Sequence, residues 1–316
     1  MVKVSVICVA YNHEKYIRDA LDSFISQKTD FEFEVLINDD ASTDRTPEII
    51  REYADKYPEI IKPVFQKKNL YSQGLNILET ALLSQARGRY FAFIDGDDYW
   101  TDPNKLQKQV DILDEHPEYP ACVHNTFWHD CTEEAEDHVM YDYPDGRLIS
   151  FEDAIWGMPY HTSSLMVRRE YIDSRPDFYY EAKNDGDDYP QAIWLTMNGN
   201  LYYINEVMSV NRSKSTPDSW STVANKDNYS ESRHFETKVR ILNLLKNHLE
   251  GEQLKITDTV VLNFRYYICE LTGQYAQLYS DEFKSIYSSK PVSYKIKLYL
   301  KSKLPFLFNI YQTIQK

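Results

Sequence analysis

The sequence predicts an α/β fold with a doubly wound, mostly parallel sheet, followed by a helical C-terminal extension. Three observations carry that prediction. Apolar runs short enough for buried strands alternate with helical periodicity, at intervals of roughly thirty residues, over the first part of the chain. Two acidic clusters, at 39–44 and 95–98, follow directly on such runs. In open α/β sheets ligands sit beyond the carboxyl ends of the strands, so the fold aims both clusters at one crevice. Past residue 229 only helical spacing remains, in Val239, Leu242, Leu244 and Leu245 and again in Val260, Val261, Phe264, Tyr267, Ile268 and Leu271.

Taken in order, residues 2–10 form a near-continuous apolar run, as a central parallel strand requires. Tyr11-Asn12-His13-Glu14 is a loop and helix start, and Ile17, Leu21, Phe24 and Ile25 recur at helical spacing. The second strand, 33–37, runs into Asn38-Asp39-Asp40-Ala41-Ser42-Thr43-Asp44. A helix then starts, with Asp44 or Thr46 as cap and Pro47 in its first turn. Residues 60–65 read as a third strand, 73–86 as a third helix and 90–95 as a fourth strand. A helix from about Asp102 to His116, a strand over 120–126 and a polar, acidic loop or hairpin over 129–147 follow.

Composition narrows the function. At 316 residues the chain supports one large domain with an appendage. A formal net charge of -14 argues against a general nucleic-acid binder, which must neutralise phosphates. Cys8, Cys122, Cys131 and Cys269 are widely spaced without a metal-ligand pattern and read as reduced structural thiols of a cytosolic protein. The first strand begins at once, leaving no room for a signal peptide, and no apolar run is long enough to span a bilayer.

The chemistry centres on Asp95-Gly96-Asp97-Asp98. Acids clustered at the end of a buried strand need neutralising, and a divalent cation shared with a phosphate is the usual partner. A solvated acidic turn is the plain alternative. No G-x-G-x-x-G or G-K-[ST] follows any strand, so a nucleotide would be held through a metal ion and not through a glycine-rich cradle. A second acidic stretch, Asn184-Asp185-Gly186-Asp187-Asp188-Tyr189-Pro190, opens a helix over 191–197 and precedes Gly199-Asn200 and a strand over 201–210. A carboxylate there can act as a general base, or simply complement the helix dipole.

The opening run through Tyr11-Asn12, then Asn38-Asp39-Asp40-Ala41-Ser42-Thr43-Asp44, Asn69 with Gly74, Ala86-Arg87-Gly88 and Ile94-Asp95-Gly96-Asp97-Asp98 occur in that order. Together they resemble the nucleotide-sugar half of a family 2 glycosyltransferase with the GT-A fold, densely over 1–130 and more thinly to about 212. The resemblance implies an inverting enzyme that uses a nucleotide sugar. It implies that Asp40 accepts the uracil N3 proton of a UDP-sugar, that Ala10 and Tyr11 lie along base and ribose, and that Asn69 and Arg87 assist. It implies Mn²⁺ or Mg²⁺ held by Asp97 and Asp98, with Asp95 and Gly96 near ribose and sugar, and His161 and Thr162 beside the acceptor. His161 could equally be structural. The base would be Asp188 or, one residue away, Asp187.

The expected organisation is a catalytic domain over 1–212, with a nucleotide-sugar half (1–128) and an acceptor half (129–212). A linker or lid (213–228) and a helical region (229–316) follow. From Lys290 to Lys316 there are six lysines and no acid. Such a segment can lie on an anionic membrane face or pack as a C-terminal helix with its lysines in water. A glycan or lipid-linked saccharide acceptor, in bacterial capsule, O-antigen or other surface polysaccharide synthesis, suits this reading. Two other functions are weighed: a haloacid dehalogenase-type phosphohydrolase, where D-x-D also follows a buried strand, and a non-catalytic nucleotide-sugar or glycan binder.

Overall fold

The computed structural model describes residues 1–182, 188–216, 222 and 228–304. The chain divides into two compact units, Met1–Ser219 and Trp220–Lys316.

The first unit is built on one mixed sheet. Its parallel core comprises β1 (Val4–Ala10), β2 (Phe33–Asp39), β3 (Ile61–Phe65) and β4 (Tyr90–Asp95), in spatial order β3-β2-β1-β4. β1 and β4 are buried on both faces, which is why they read as near-continuous apolar runs, while β3 at the sheet edge is half-buried. The helices α1 (Ile17–Ile25) and α2 (Thr46–Lys56) connect them, with Ile17, Ala20, Leu21, Phe24, Ile49 and Ile50 in the core. Burying each such aliphatic or aromatic side chain stabilises the fold by about 1.5–3 kcal/mol. The short β5 (Tyr99–Trp100) leads to α3 (Lys105–Glu115) and the long β6 (Ala121–Asp130). Next come β7 (His138–Val139), β8 (Leu148–Ile149), α4 (Phe151–Trp156), β9 (Met166–Arg168), α5 (Arg169–Asp173), α6 (Asp177–Ala182), α7 (Asp188–Met197) and β10 (Leu201–Ser213).

The sheet continues β4-β9-β6-β10-β5, with β9 antiparallel to both β4 and β6 and β10 parallel to β6. The sheet is therefore mixed, and three of its ten strands among the described residues (β5, β7 and β8) are two-residue pieces that local pattern does not reveal. The expected third helix over 73–86 is broken. A 3₁₀ turn at Tyr71–Gln73 ends at Gly74 with φ +69, and a π turn (Leu78–Leu82) and a second 3₁₀ turn (Leu83–Gln85) follow. Glycine accepts that left-handed conformation without a Cβ penalty, and the turn it closes interrupts the helix.

The second unit contains the helices Asn228–Leu245, Gly251–Leu271, Lys284–Ser289 and Val292–Lys303. Phe235 meets Phe264 and Tyr267 edge-on, at 5.1 and 4.8 Å between ring centroids. Tyr266, Cys269, Leu278, Phe283 and Leu298 form a separate small core. Among the described residues no helix is long and apolar enough to cross a membrane. All four cysteines are free thiols.

Candidate active site

The carboxyl ends of β1, β2 and β4 converge, because residues 10 and 39, and 9 and 95, are register partners. The loops after β1 and β2 are zipped together. Asn12 N–H donates to Ser42 Oγ at 2.9 Å, Thr43 N–H to Asn12 Oδ1 at 2.9 Å, and His13 N–H to Thr46 Oγ1 at 2.8 Å. Asp44 accepts from Thr46 and Glu14 N–H groups. Burial alone would raise its pKa, but these bonds outweigh it and hold it low, as suits a turn acid. Asn12 and Ala41 both sit at positive φ, +56 and +61. For alanine that conformation is strained and is imposed here by the surrounding hydrogen bonds.

Asp40 is buried. Its Oδ1 accepts from Leu70 N–H at 2.7 Å and its Oδ2 from Tyr71 N–H at 3.1 Å, so it fastens the 70–74 turn to the sheet. Each carboxylate oxygen keeps a second lone pair for a ligand donor. Asn69 works within the same turn, its Oδ1 accepting from Ser72 N–H at 2.6 Å. Ala10 is buried at the end of β1 and Tyr11 beside it is exposed. A Cβ on Gly96 would lie 2.9 Å from both Ala10 Cβ and Ile17 Cδ1, so only glycine lets the acidic turn pass this close to β1.

Within that turn the acids divide. Asp98 is 1 % exposed and points inward, with Oδ1 accepting from Arg212 N–H at 2.8 Å and from Asn211 Nδ2 at 3.3 Å. Burial, then the charges of Asp97 and Asp95, push its pKa well up against those two bonds. Asp97 Oδ2 accepts from Ser215 Oγ at 2.5 Å and lies 3.8 Å from His13 Nε2, while its backbone oxygen accepts from Arg212 at 2.9 Å. Asp95 and Asp188 each keep an open edge to solvent, but protein surrounds their carboxyl groups. That desolvation, with the charges of Asp97 and Asp188, pushes Asp95 up to about 8. Asp188, first residue of α7, is also raised by desolvation, against a hydrogen bond from Thr162.

His161 Nδ1 pairs with Ser163 Oγ at 2.8 Å, accepts from Ser163 N–H at 3.3 Å and lies 3.9 Å from Asp98 Oδ2. Burial pushes it down to about 4, against the pull of Asp97, so it is neutral at physiological pH. Ser163 Oγ in turn meets Ser209 Oγ at 3.0 Å, and Ser209 meets Thr126 Oγ1 at 3.0 Å. A buried run of hydroxyls therefore seats the histidine beneath the acids. Several buried polar atoms around the crevice have no protein partner: His13 Nδ1, Asn38 Nδ2, Asp39 Oδ1 and Tyr160 Oη. Buried polar groups are normally paired, so orphaned ones gathered at one end of a sheet mark a ligand-binding surface.

Residues 5–175 match the family model described as glycosyl transferase family 2. The chain belongs to glycosyl transferase family 2. An uncharacterized protein of Mycobacterium tuberculosis (strain H37Rv) is 34% identical over 264 residues, 79% of this chain and 71% of that one. The structure of Staphylococcus aureus TarS 1-349 in complex with UDP-GlcNAc superposes with a TM-score of 0.61 at 18% identity, covering 95% of this chain and 79% of that one. TarS, named a poly(ribitol-phosphate) β-N-acetylglucosaminyltransferase, is also a sequence relative, 37% identical over 119 residues, 37% of this chain and 20% of that one. The mannosyltransferase PcManGT from Pyrobaculum calidifontis, in complex with GDP-Man and Mn²⁺, superposes with a TM-score of 0.52 at 18% identity, covering 98% of this chain and 84% of that one. These likenesses identify the mixed sheet as the GT-A fold, and the family match retires the phosphohydrolase alternative.

For this family 2 glycosyltransferase one expected contact is misplaced. Arg87 precedes β4 and so lies at the amino ends of the strands, about 15–20 Å of strand away from the acids. There its guanidinium binds buried Glu34 through Nε at 2.8 Å and NH2 at 2.5 Å, while its own N–H donates to Glu34 Oε1 at 2.8 Å. Arg87 is a structural clamp, not a nucleotide contact. Asp98 is also tied inward: its Oδ1 accepts from Arg212 N–H and Asn211 Nδ2, which anchors the acidic turn to β10. Asp187 lies outside the described residues, as does part of the expected 213–228 linker, whose first residue still belongs to β10.

The site also uses residues that the sequence did not single out. Asn211, Arg212 and Ser215 reach the acidic turn from more than a hundred positions away, and Tyr160 Oη is buried within electrostatic reach of Asp188. The signal available for the first three was their place at the carboxyl end of the last long strand.

Proposed function

We propose that this family 2 glycosyltransferase is an inverting enzyme that moves a hexose-type sugar from a UDP-sugar to a hydroxyl of a glycan or lipid-linked acceptor, in bacterial surface polysaccharide synthesis. The observation that carries the reading is the convergence of Asp95, Asp97, Asp98 and Asp188, from two separate acidic stretches, at one end of one sheet. TarS and PcManGT, bound to UDP-GlcNAc and to GDP-Man, support a nucleotide-sugar donor. Buried Asp40 beside the 70–74 turn favours uracil among the bases.

In this reading Asp188 takes the proton of the acceptor hydroxyl as its oxygen bonds to the anomeric carbon and the bond to the β-phosphate oxygen breaks. Its raised pKa makes it a stronger base than an ordinary carboxylate, and the Thr162 hydroxyl orients it. Asp187 is the neighbouring alternative. Neutral His161 and Thr162 would border the acceptor, and Ala10, Tyr11 and Asn69 the nucleoside.

The acids fit a divalent cation. Burial and neighbouring carboxylates raise Asp95 and Asp98, as befits acids left short of a cation. Among the described residues no three His, Cys, Asp or Glu side chains form a complete metal cage. Mn²⁺ or Mg²⁺ would therefore take only Asp97 and Asp98 from the protein, with diphosphate oxygens and water completing its shell. Bound there, it would neutralise charge on the departing diphosphate.

A thermal-shift panel of UDP, GDP and their sugars, with Mn²⁺ and with EDTA, tests the proposal. Stabilisation by UDP compounds that requires metal is expected, at about 2.7 kcal/mol for ligand at a hundred times its Kd. A preference for GDP would remove the uracil assignment, and silence with every nucleotide would sink the donor reading.

A further inference from the structure

The helix Val292–Lys303 is two-faced in an unusual way. Its inward side carries Tyr294 and Leu298, one turn apart. Leu298 is buried in the small core of the second unit, and Tyr294 Oη meets Tyr266 Oη at 3.0 Å. Its opposite side carries Val292, Ile296 and Tyr299 at helical spacing. These are 71, 56 and 53 % exposed, so three large apolar side chains stand in a row in solvent. Lys303 continues that row and Lys297 is exposed on the same helix, while Lys295 turns onto the second unit itself, its Nζ donating to Ser288 O at 2.8 Å. Beyond Lys303 the sequence Leu304-Pro305-Phe306-Leu307-Phe308-Asn309-Ile310-Tyr311 stays apolar and free of acids.

We infer that this face docks on an anionic lipid surface, with Val292, Ile296 and Tyr299 entering the headgroup boundary and the exposed Lys297 and Lys303 meeting lipid phosphates. The chain carries -14 overall yet has six lysines and no acid from 290 to 316. That local reversal of charge chooses the occupant. A second copy of the helix would bring lysine against lysine around the apolar row, whereas an anionic surface satisfies both the apolar and the basic components at once. Since no helix of the described residues can span a bilayer, the contact lies in the plane of the membrane. The inference supports the lipid-linked form of the proposed acceptor but rests on the second unit alone, so the two stand or fall separately.

The test uses the full chain in co-sedimentation with vesicles of phosphatidylglycerol mixed with phosphatidylcholine, and with vesicles of phosphatidylcholine alone. Binding to the anionic vesicles only, weakened by added salt, is expected. Ile296→Asp should lower that binding about ten-fold or more, from the lost apolar insertion, and Lys297→Glu combined with Lys303→Glu should do the same through charge. All three positions are exposed, so thermal unfolding of both variants should match the parent. No binding to either vesicle, equal binding to both, or parent-like binding by Ile296→Asp would each overturn the inference. So would self-association of the parent that Ile296→Asp abolishes without any vesicle effect. Donor consumption with a water-soluble acceptor, unchanged in these variants, keeps the transferase reading separate.

Discussion

The two ends of the parallel sheet treat their acids in opposite ways. At the amino end Glu34 is almost fully buried, yet it accepts from Arg87, from the Arg87 N–H and from Ser5 Oγ at 2.7 Å. Burial would raise its pKa, but those partners outweigh burial and hold it below the ordinary value. At the carboxyl end Asp95 and Asp98 are raised, by burial and by the charges of neighbouring acids. An acid kept for the fold has its cation built in, and acids kept for a ligand are left short of one. Unrelieved carboxylate repulsion is a cost that folding alone would not maintain, which makes it a pointer to function.

The comparison is tested first where the effect should be largest. Asp188→Asn should lower turnover about 10²–10⁴-fold while donor affinity, read by thermal shift, stays within a few-fold of the parent. Loss of donor affinity together with turnover would instead make Asp188 part of donor binding. At the other end Glu34→Gln should leave turnover untouched and cost roughly 2 kcal/mol in urea unfolding, because charge-assisted bonds to Arg87 are lost. A large change in KM from that substitution would return Arg87 to the site.

What could be read from sequence follows the same division. The strand-then-acid pattern of 90–98 and the acidic start of α7 were legible because burial and chain direction are written locally. The place of Arg87 was legible by the same rule, since a residue before a strand lies at the opposite end from one after it, but the motif order obscured this. The inward turn of Asp98 was not legible, because its partners Asn211 and Arg212 arrive from over a hundred residues away. Nor was the antiparallel pairing of β9 with β4 and β6, or the broken helix after Gly74, whose irregular turns carry apolar residues without a regular period.

A pH series without divalent metal separates the two ends more gently. Asp95 has a folded pKa near 8, above that of an unfolded carboxylate, so the native state holds the proton more tightly. Stability from this group is full in acid and is lost as pH rises from about 4 towards 8. Glu34, lowered in the fold, contributes above its unfolded pKa and loses that contribution as pH falls below it. The melting temperature should therefore decline between about pH 4 and 8, Asp95→Asn should flatten that decline, and Glu34→Gln should not. Smallest of all, Ser215→Ala removes a hydroxyl bonded to Asp97 Oδ2 and should tighten Mn²⁺ binding by less than about ten-fold. Weaker metal binding would show that Ser215 orients Asp97 for its ligand.

The short strand β9 has a consequence for how the enzyme can move and how it can be rebuilt. Residues 166–168 hydrogen-bond to β4 on one side, and 166–167 pair with β6 on the other. The parallel strands that end at β4 are thereby stitched to β6 and β10 as one continuous fabric. The two sides of this seam cannot swing apart like jaws without tearing main-chain hydrogen bonds. Substrate entry and product exit must be managed by the loops along the rim. For the same reason a chimaera that exchanges residues 129–212 between relatives must carry a matching β9, or the seam will not close.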